Sequence, residues 1–188
     1  GGGGGQGGGG AGGGVGGGRG RVPGGGACGD AIEKRGGAER AGPGRAVAEK
    51  GRPVWGGCLG MQLWFESSSE CGRHEGLGLV PGRVESLAED LRSAGFAYKV
   101  PHMGWNPLHL VKPKSPLLRY SKEGDSVYYV HSFYVKDCKD ALIAESEYGV
   151  MVPGAVQNGN VFGTQFNPEK SGKAGLAMLR AFAEVPVC

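Results

Sequence analysis

The chain predicts a three-layer α/β domain with one hydrophobic core. A short apolar strand, a glycine turn and a helix-forming segment follow one another at 52–68, which is one half of a parallel α/β unit. Short strands punctuated by Gly, Pro and Asn come next, and a helix with periodic apolar residues closes the chain at 170–184. The 188 residues suffice for one domain of this kind.

The first twenty residues are expected to lie outside this domain. Sixteen of them are glycine, interrupted by Gln6, Ala11, Val15 and Arg19. Such a segment has almost no apolar side chain to bury, and glycine loses more backbone entropy on folding than any other residue. We therefore predict a flexible low-complexity segment at 1–20 and a folded domain at 21–188.

The elements of the domain follow in chain order. Residues 21–22 predict a short strand, and helical fragments are expected at 30–35 and 45–50, separated by glycine and proline. The stretch 52–57 predicts a strand, and the good helix formers at 61–68 predict a helix. Further short strands are predicted within 76–87, 97–106, 125–135, 141–152 and 160–166.

The closing helix has a predicted cap and a predicted apolar face. Ser171 is in the position of an N-terminal cap. Leu176, Leu179 and Phe182 are three residues apart, which predicts that they share one face of the helix.

Composition argues against several classes of protein. The 21 basic residues are scattered among 18 acidic ones, and the net charge of +3 forms no basic stripe for nucleic acid. No apolar run approaches a membrane span, and the first residues lack the blocks of a signal peptide. Five cysteines without a C-x-x-C pair argue against a disulfide framework or a zinc site, so a reducing cytosol fits.

One candidate nucleophile lies in the turn after the strand at 52–57. Gly56-Gly57-Cys58-Leu59-Gly60 has the form G-x-nucleophile-x-G, in which glycines permit a sharp, strained turn that exposes the central side chain. The positive end of a following helix would favour the thiolate of Cys58. The alternative is a buried structural cysteine in a glycine-rich turn, and the spacing alone does not decide between the two.

Two further stretches could contribute to a site. The glycine turn from Pro23 to Ala27 could direct N–H groups at an oxyanion, although taken alone a plain loop is the favoured interpretation. The stretch F-G-T-Q-F-N-P-E-K-S at 162–171 places Asn167 two residues before Glu169. A base and its orienting carboxylate are expected there, but an amide has no lone pair basic enough to take a proton.

Six stretches together resemble the class I glutamine amidotransferases. Two of them, P-H-M-G-W-N and E-G-L-G-L-V-P-G-R-V, narrow the resemblance to the glutaminase subunit of imidazole glycerol phosphate synthase, from histidine biosynthesis. The six stretches lie at 23–31, 56–68, 75–84, 99–106, 128–135 and 159–171.

The resemblance implies a flavodoxin-like domain with a Cys-His-Glu triad and without a cofactor or metal. Cys58 would attack the carboxamide of glutamine, ammonia would leave, and water would hydrolyse the resulting γ-glutamyl thioester. Backbone N–H groups near Gly25 and Leu59 would form the oxyanion hole. The bound glutamine would be held by Gln62, His131, Ser132 and Phe133.

The resemblance also implies a partner. The family forms a heterodimer with a cyclase subunit, a (β/α)8 barrel, which combines the ammonia with a phosphorylated ribulosyl intermediate in the cytoplasm. Trp105, Asn106 and Lys170 match positions where the family meets this cyclase.

Two features depart from the family pattern. Asn167 stands where the family has its catalytic histidine, which leaves Glu169 without an imidazole to orient. The glycine-rich head takes the place of the family's first strand, the turn after it and the first helix.

Three functions follow as hypotheses. The first is an active glutaminase subunit, and the second is a catalytically impaired subunit that at most binds the cyclase. For turnover by this chain the second is favoured, because Asn167 cannot act as a base. A cysteine protease is a distant third, since it needs a histidine beside Cys58. We expect neither His131 nor His102 to be that base, because the family motifs give both histidines other roles.

Overall fold

The structure is a computed structural model that describes residues 20–22 and 44–187. Residues 1–19, the helical fragment at 30–35 and the turn with Gly25 lie outside the described residues. The strands are β1 (Gly20–Val22), β2 (Val54–Gly57), β3 (Ser67–Ser68), β4 (His74–Glu75), β5 (Arg83–Ser86), β6 (His102–Pro107), β7 (His109–Leu110), β8 (Ser126–His131), β9 (Phe133–Lys136), β10 (Leu142–Tyr148), β11 (Val150–Asn158) and β12 (Val161–Thr164).

The helices are few and mostly short. They are α1 (44–49), α2 (Leu59–Gln62), α3 (Leu87–Ser93) and α4 (Gly172–Ala183), with single 3-10 turns at Pro116–Leu118 and Pro168–Lys170. Within 44–187 none of them has the length and apolar character needed to cross a membrane.

A six-stranded mixed sheet forms the centre of the described structure, in the order β1-β2-β12-β11-β10-β7. The first three strands in this order are parallel, and the others pair antiparallel. Val22 of β1 pairs with Gly56 of β2, and Gly57 pairs with Thr164 of β12. The carboxyl ends of three parallel strands therefore meet at one edge, where α/β sheets place their ligand sites.

Side chains alternate between the two faces of this sheet. Trp55 and Phe162 pack against Phe182 of α4, with ring centroids 5.3 and 5.9 Å away. Their chain neighbours Val54 and Val161 belong to a second buried cluster on the opposite face, which also holds residues of α1 and α2. Helices thus cover both faces, which confirms the predicted α/β class.

The helix predicted at 61–68 is wrong beyond Gln62. The carbonyl oxygens of Leu63, Trp64 and Phe65 accept hydrogen bonds from N–H groups at 77–80 rather than from a further helical turn. Gly76 permits this close crossing, because a Cβ atom there would lie 2.0 Å from the Phe65 carbonyl oxygen. A distant loop therefore ends the helix, and the chain turns into β3.

The closing helix is present as α4. Of its predicted apolar face, Phe182 is buried and Leu179 is partly buried against the core, while Leu176 faces solvent. Leu176 is 64% exposed, whereas Gly175 and Met178 are buried. A Cβ atom at residue 175 would lie 1.7 Å from the Pro168 carbonyl oxygen, so glycine allows α4 to contact the turn at Pro168–Lys170.

Ser171 is not the side-chain cap that the sequence predicts. Its hydroxyl donates to the Asn167 carbonyl at 2.7 Å and accepts from the Tyr128 N–H at 3.0 Å. It thereby joins the start of α4 to β8, which crosses nearby.

Candidate active site

Cys58 occupies a strained turn at the carboxyl end of β2. Its φ of 51° and ψ of −112° are unusual for a residue with a side chain, and its N–H donates to the Thr164 carbonyl at 2.7 Å. α2 begins at the next residue. The predicted strand, turn and helix are therefore present, and the sulfur is lifted to the edge of the sheet.

The Cys58 sulfur lies half-buried between a donor and an acceptor. Gln165 Nε2 is 3.8 Å from it on one side, and the Val130 carbonyl oxygen is 3.8 Å away on another. The Leu59 N–H also points at the sulfur. A pocket of about 100 Å³ opens beside it, lined by Cys58, Leu59, Gln62, Glu70, Val130, His131, Ser132 and Phe133.

The sulfur of the free protein favours the thiol form. Burial raises the pKa of Cys58 above its ordinary value, and the Glu70 carboxylate adds to this. The Leu59 N–H, the Gln165 amide and the Lys170 charge oppose the rise without cancelling it. The thiolate expected from a helix dipole is therefore not favoured, because α2 has only four residues and burial outweighs it.

Asn167 follows β12 at the same edge of the sheet and is not a hydrogen-bond partner of the sulfur among the described residues. It precedes Pro168, whose ring is 3.8 Å from a Cβ atom built at Gly57. The partners of the sulfur among the described residues are Leu59, Val130 and Gln165. Glu169 follows on the exposed side of the 3-10 turn. The site of the family's base is thus near the nucleophile and has no basic side chain.

His131 lines the pocket, yet both of its ring nitrogens are used inside the fold. Nδ1 lies 2.9 Å from the Phe133 carbonyl oxygen, and Nε2 lies 2.9 Å from His102 Nδ1. His102 Nε2 reaches Asn106 Oδ1 at 2.8 Å, and the His102 ring is stacked between two tyrosine rings. Neither imidazole has a nitrogen left for Cys58, which agrees with the expectation that neither histidine is a substitute base.

Burial keeps this histidine pair neutral near neutral pH. Burial lowers the pKa of His131 to about 4. Burial also lowers the pKa of His102, and the contact with Asn106 offsets part of that decrease. Two neutral rings carry two protons for three contacts. One of the three contacts therefore lacks its hydrogen in the neutral pair, and the tautomers of the two rings decide which one.

The neutral pair predicts a loss of stability in acid. His131 has a pKa of about 4 in the folded state and about 6.5 when unfolded, so the unfolded state binds more protons as the pH falls between these values. At pH 5 this linkage should remove about 2 kcal/mol of the free energy of unfolding that is present at pH 7. Urea unfolding at both pH values measures the loss.

The matched variants for this measurement are His131→Asn and His109→Asn. Asparagine at 131 keeps an N–H for the Phe133 carbonyl but does not titrate. The free energy of unfolding of His131→Asn should therefore depend less on pH than that of wild type, although His102 still contributes to the dependence. His109 is exposed, and replacing it should leave the acid loss unchanged. An equal loss in wild type and His131→Asn would contradict the assignment.

The residues predicted to meet a partner have different exposures. β6 alternates, so that Met103 and Trp105 are 60% and 57% exposed while His102 is buried. Lys170 is exposed as well. Asn106 is half-buried and turned inward, since its amide contacts His102 and donates to the Glu147 carbonyl at 3.1 Å.

Three residues at the site were not found from the sequence. Glu70 brings a carboxylate into the pocket, Gln165 contacts the sulfur, and His102 holds His131. Gln165 lies in the stretch 162–171 that contains Asn167 and Glu169. Its position two residues before Asn167 could have indicated that it lies near the nucleophile. Glu70 carried none, because its polar loop reaches the pocket only through the tertiary fold.

A cysteine in a strained strand-to-helix turn, at the carboxyl end of the parallel strands of a mixed sheet, has the geometry of a nucleophile elbow. The family model for glutamine amidotransferase class-I matches residues 32–185. The chain belongs to this family.

Within this family, the chain is similar to one kind of subunit. The imidazole glycerol phosphate synthase subunit HisH of Listeria monocytogenes is 48% identical over 141 residues, which cover 75% of this chain and 64% of that protein. The subunit HisH of Bacillus licheniformis is 52% identical, with 74% of this chain and 65% of that protein covered. The matched part thus spans less than two thirds of the length of these relatives.

Solved structures share the fold at low identity. PurLQS from Thermotoga maritima matches with a TM-score of 0.59 and 18% identity, covering 82% of this chain and 70% of that one. The glutaminase domain of Trypanosoma brucei CTPS, solved with bound acivicin, matches with a TM-score of 0.58 and 21% identity, covering 90% of this chain and 72% of that one. These similarities concern the fold alone.

Proposed function

We propose that this chain is the glutaminase subunit of an imidazole glycerol phosphate synthase, acting on glutamine through Cys58. The observation that carries the proposal is Cys58 in its strained turn beside a polar pocket, in a chain about half identical to HisH subunits.

The proposed hydrolysis of glutamine has two steps, formation of a thioester and its hydrolysis. The Cys58 sulfur attacks the carboxamide carbon, the C–N bond breaks, and the thiol proton leaves with the amide nitrogen as ammonia. Water then attacks the γ-glutamyl thioester, which releases glutamate and returns the proton to the sulfur. The Leu59 N–H, which acts as a hydrogen-bond donor to the sulfur of the free protein, would donate to the oxyanion of each step.

The pocket suits a free amino acid. The half-buried Glu70 carboxylate offers a partner for an α-ammonium group. Leu59, His131, Ser132 and Phe133 form its other walls, so the roles proposed for them in holding glutamine agree with their positions. Gln62 also lines it, but its amide nitrogen is bonded within the protein.

The proposed partner is a barrel-shaped cyclase that receives the ammonia within a cytoplasmic heterodimer. The relatives are named as subunits of a synthase, which supports a partner. The exposed side chains of Met103 and Trp105 on β6 offer an apolar surface for such a contact. Trp105 and Lys170 are accessible for such a contact, whereas Asn106 would act through its backbone or after turning outward. The cytoplasmic location rests on the cysteine pattern alone.

The second candidate is a catalytically impaired subunit that binds the cyclase without appreciable turnover. Two observations favour it. Asn167 cannot take or give the proton that the departing nitrogen needs, and burial holds Cys58 in the thiol form.

Ammonia release from glutamine, measured with purified cyclase subunit present, tests the proposal. Wild type should release ammonia slowly, and Cys58→Ala should release none above buffer. Cys71→Ser removes an exposed cysteine outside the pocket and should behave as wild type. Equal release by wild type and Cys58→Ala, with cyclase binding retained, would contradict an active glutaminase and favour the impaired subunit.

A further inference from the structure

The carbonyl oxygen of Phe133 fixes how two buried glutamines are oriented. It accepts from Gln62 Nε2 at 3.0 Å and from His131 Nδ1 at 2.9 Å. A carbonyl oxygen cannot donate, so the Gln62 atom that faces it must be the NH2 nitrogen. The same nitrogen donates its second hydrogen to Gln165 Oε1, with the nitrogen and the oxygen 3.1 Å apart.

Gln165 therefore presents its own NH2 group to Cys58. With Oε1 turned to Gln62, its Nε2 lies 3.8 Å from the sulfur. A flipped amide would set two NH2 groups against each other and turn an oxygen toward the sulfur. Gln165 is completely buried. Its backbone N–H donates to the Gly154 carbonyl at 2.8 Å, which fixes the backbone from which the side chain extends.

The two contacts of the sulfur favour opposite protonation states. The Val130 carbonyl can only accept, so it stabilises the S–H form. The Gln165 amide donates, and because an anion accepts a hydrogen bond more strongly than a thiol does, it stabilises the thiolate. The fraction of thiolate thus depends on the amide remaining in this orientation.

We propose that Gln165 is a positioning residue that holds the Cys58 sulfur and stabilises its thiolate, in an orientation set by Gln62 and the Phe133 carbonyl. This rests on Cys58 being the nucleophile of the proposed function. The contribution of Gln165 to the pKa of Cys58 has the required direction, opposite to that of burial. Because residue 167 is no base, neutral donors such as this amide carry more of the stabilisation of the sulfur.

The test is the rate at which iodoacetamide alkylates Cys58 across pH, followed by mass spectrometry of the Cys58 peptide. Replacing Gln165 by methionine removes the donor and should raise the midpoint by about one pH unit, so that below the midpoint the rate falls about tenfold. Gln165→Glu should raise the midpoint further, because a carboxylate then faces the sulfur.

Gln157→Met is the matched control. Gln157 bonds to Ser115 and to the Gly159 carbonyl, away from Cys58, and its replacement should not move the midpoint. If Gln165 only filled space, its loss would admit water, lower a pKa that burial has raised, and speed alkylation. An unchanged or lower midpoint in folded Gln165 variants overturns the proposal.

The outcome is independent of glutamine turnover. Alkylation reports the sulfur directly, so a chain that releases no ammonia still gives a valid midpoint. Gln165→Glu keeps the size of the side chain, and it preserves the test if Gln165→Met does not fold. Cooperative thermal unfolding of each variant establishes that it is folded.

Discussion

Replacing Asn167 by histidine should raise the rate of ammonia release by about 10²- to 10⁴-fold, the range that a positioned acid or base contributes. The position directly precedes Pro168, which lies beside Gly57 and the Cys58 turn. An imidazole there could take the thiol proton and deliver it to the leaving nitrogen. The measurement is glutamine turnover with the cyclase present, comparing wild type with Asn167→His.

Two further variants locate the source of this gain. Lys139→His places a new imidazole at an exposed position in the turn after β9 and should leave turnover unchanged. In the double variant Asn167→His, Glu169→Ala, the imidazole lacks its orienting carboxylate, so part of the gain should disappear. If Asn167→His alone gains nothing, the missing base is not what limits this chain.

The sequence predicted those parts of the site that depend on local chain geometry. Cys58 is in its turn because glycines and a strand–helix junction surround it, and Asn167 follows the strand that pairs with β2. Both features are encoded within about ten residues. The local pattern left a reactive thiolate and a buried thiol open for Cys58. Burial of the sulfur, which raises the pKa of Cys58, is a property of the whole fold, and a one-turn helix has little dipole to oppose it.

The errors in the fold share a physical cause. α2 ends early because N–H groups of a loop at 77–80 bond the carbonyls of residues 63–65, which directly follow α2, and no local pattern contains that loop. The buried face of α4 includes Gly175 in place of Leu176, because α4 contacts the Pro168 carbonyl at this glycine. A pattern of apolar side chains does not mark a glycine as buried.

Replacing Gly56 by alanine should destabilise the folded chain by at least about 3 kcal/mol, as expected for overpacking against immobile backbone. A Cβ atom at Gly56 would lie 2.4 Å from the Gly60 carbonyl carbon and 2.7 Å from the Met61 N atom. The β2 strand cannot move away, since Gly56 pairs with Val22 on one side and with Gly163 on the other. Urea unfolding of Gly56→Ala against wild type measures the loss.

Gly57→Ala is the matched control, because it makes the same change one residue along the same buried strand. Its Cβ atom would lie 3.8 Å from Pro168 Cδ and 4.0 Å from Thr164 Oγ1, which are ordinary contacts, so the free energy of unfolding should change by less than about 1 kcal/mol. Equal losses in the two variants would mean that neither glycine position of β2 tolerates a side chain, and that the contact with Gly60 is not the cause. A large loss at Gly56 alone would instead show that the close approach of Gly56 to Gly60 forms the turn that presents Cys58.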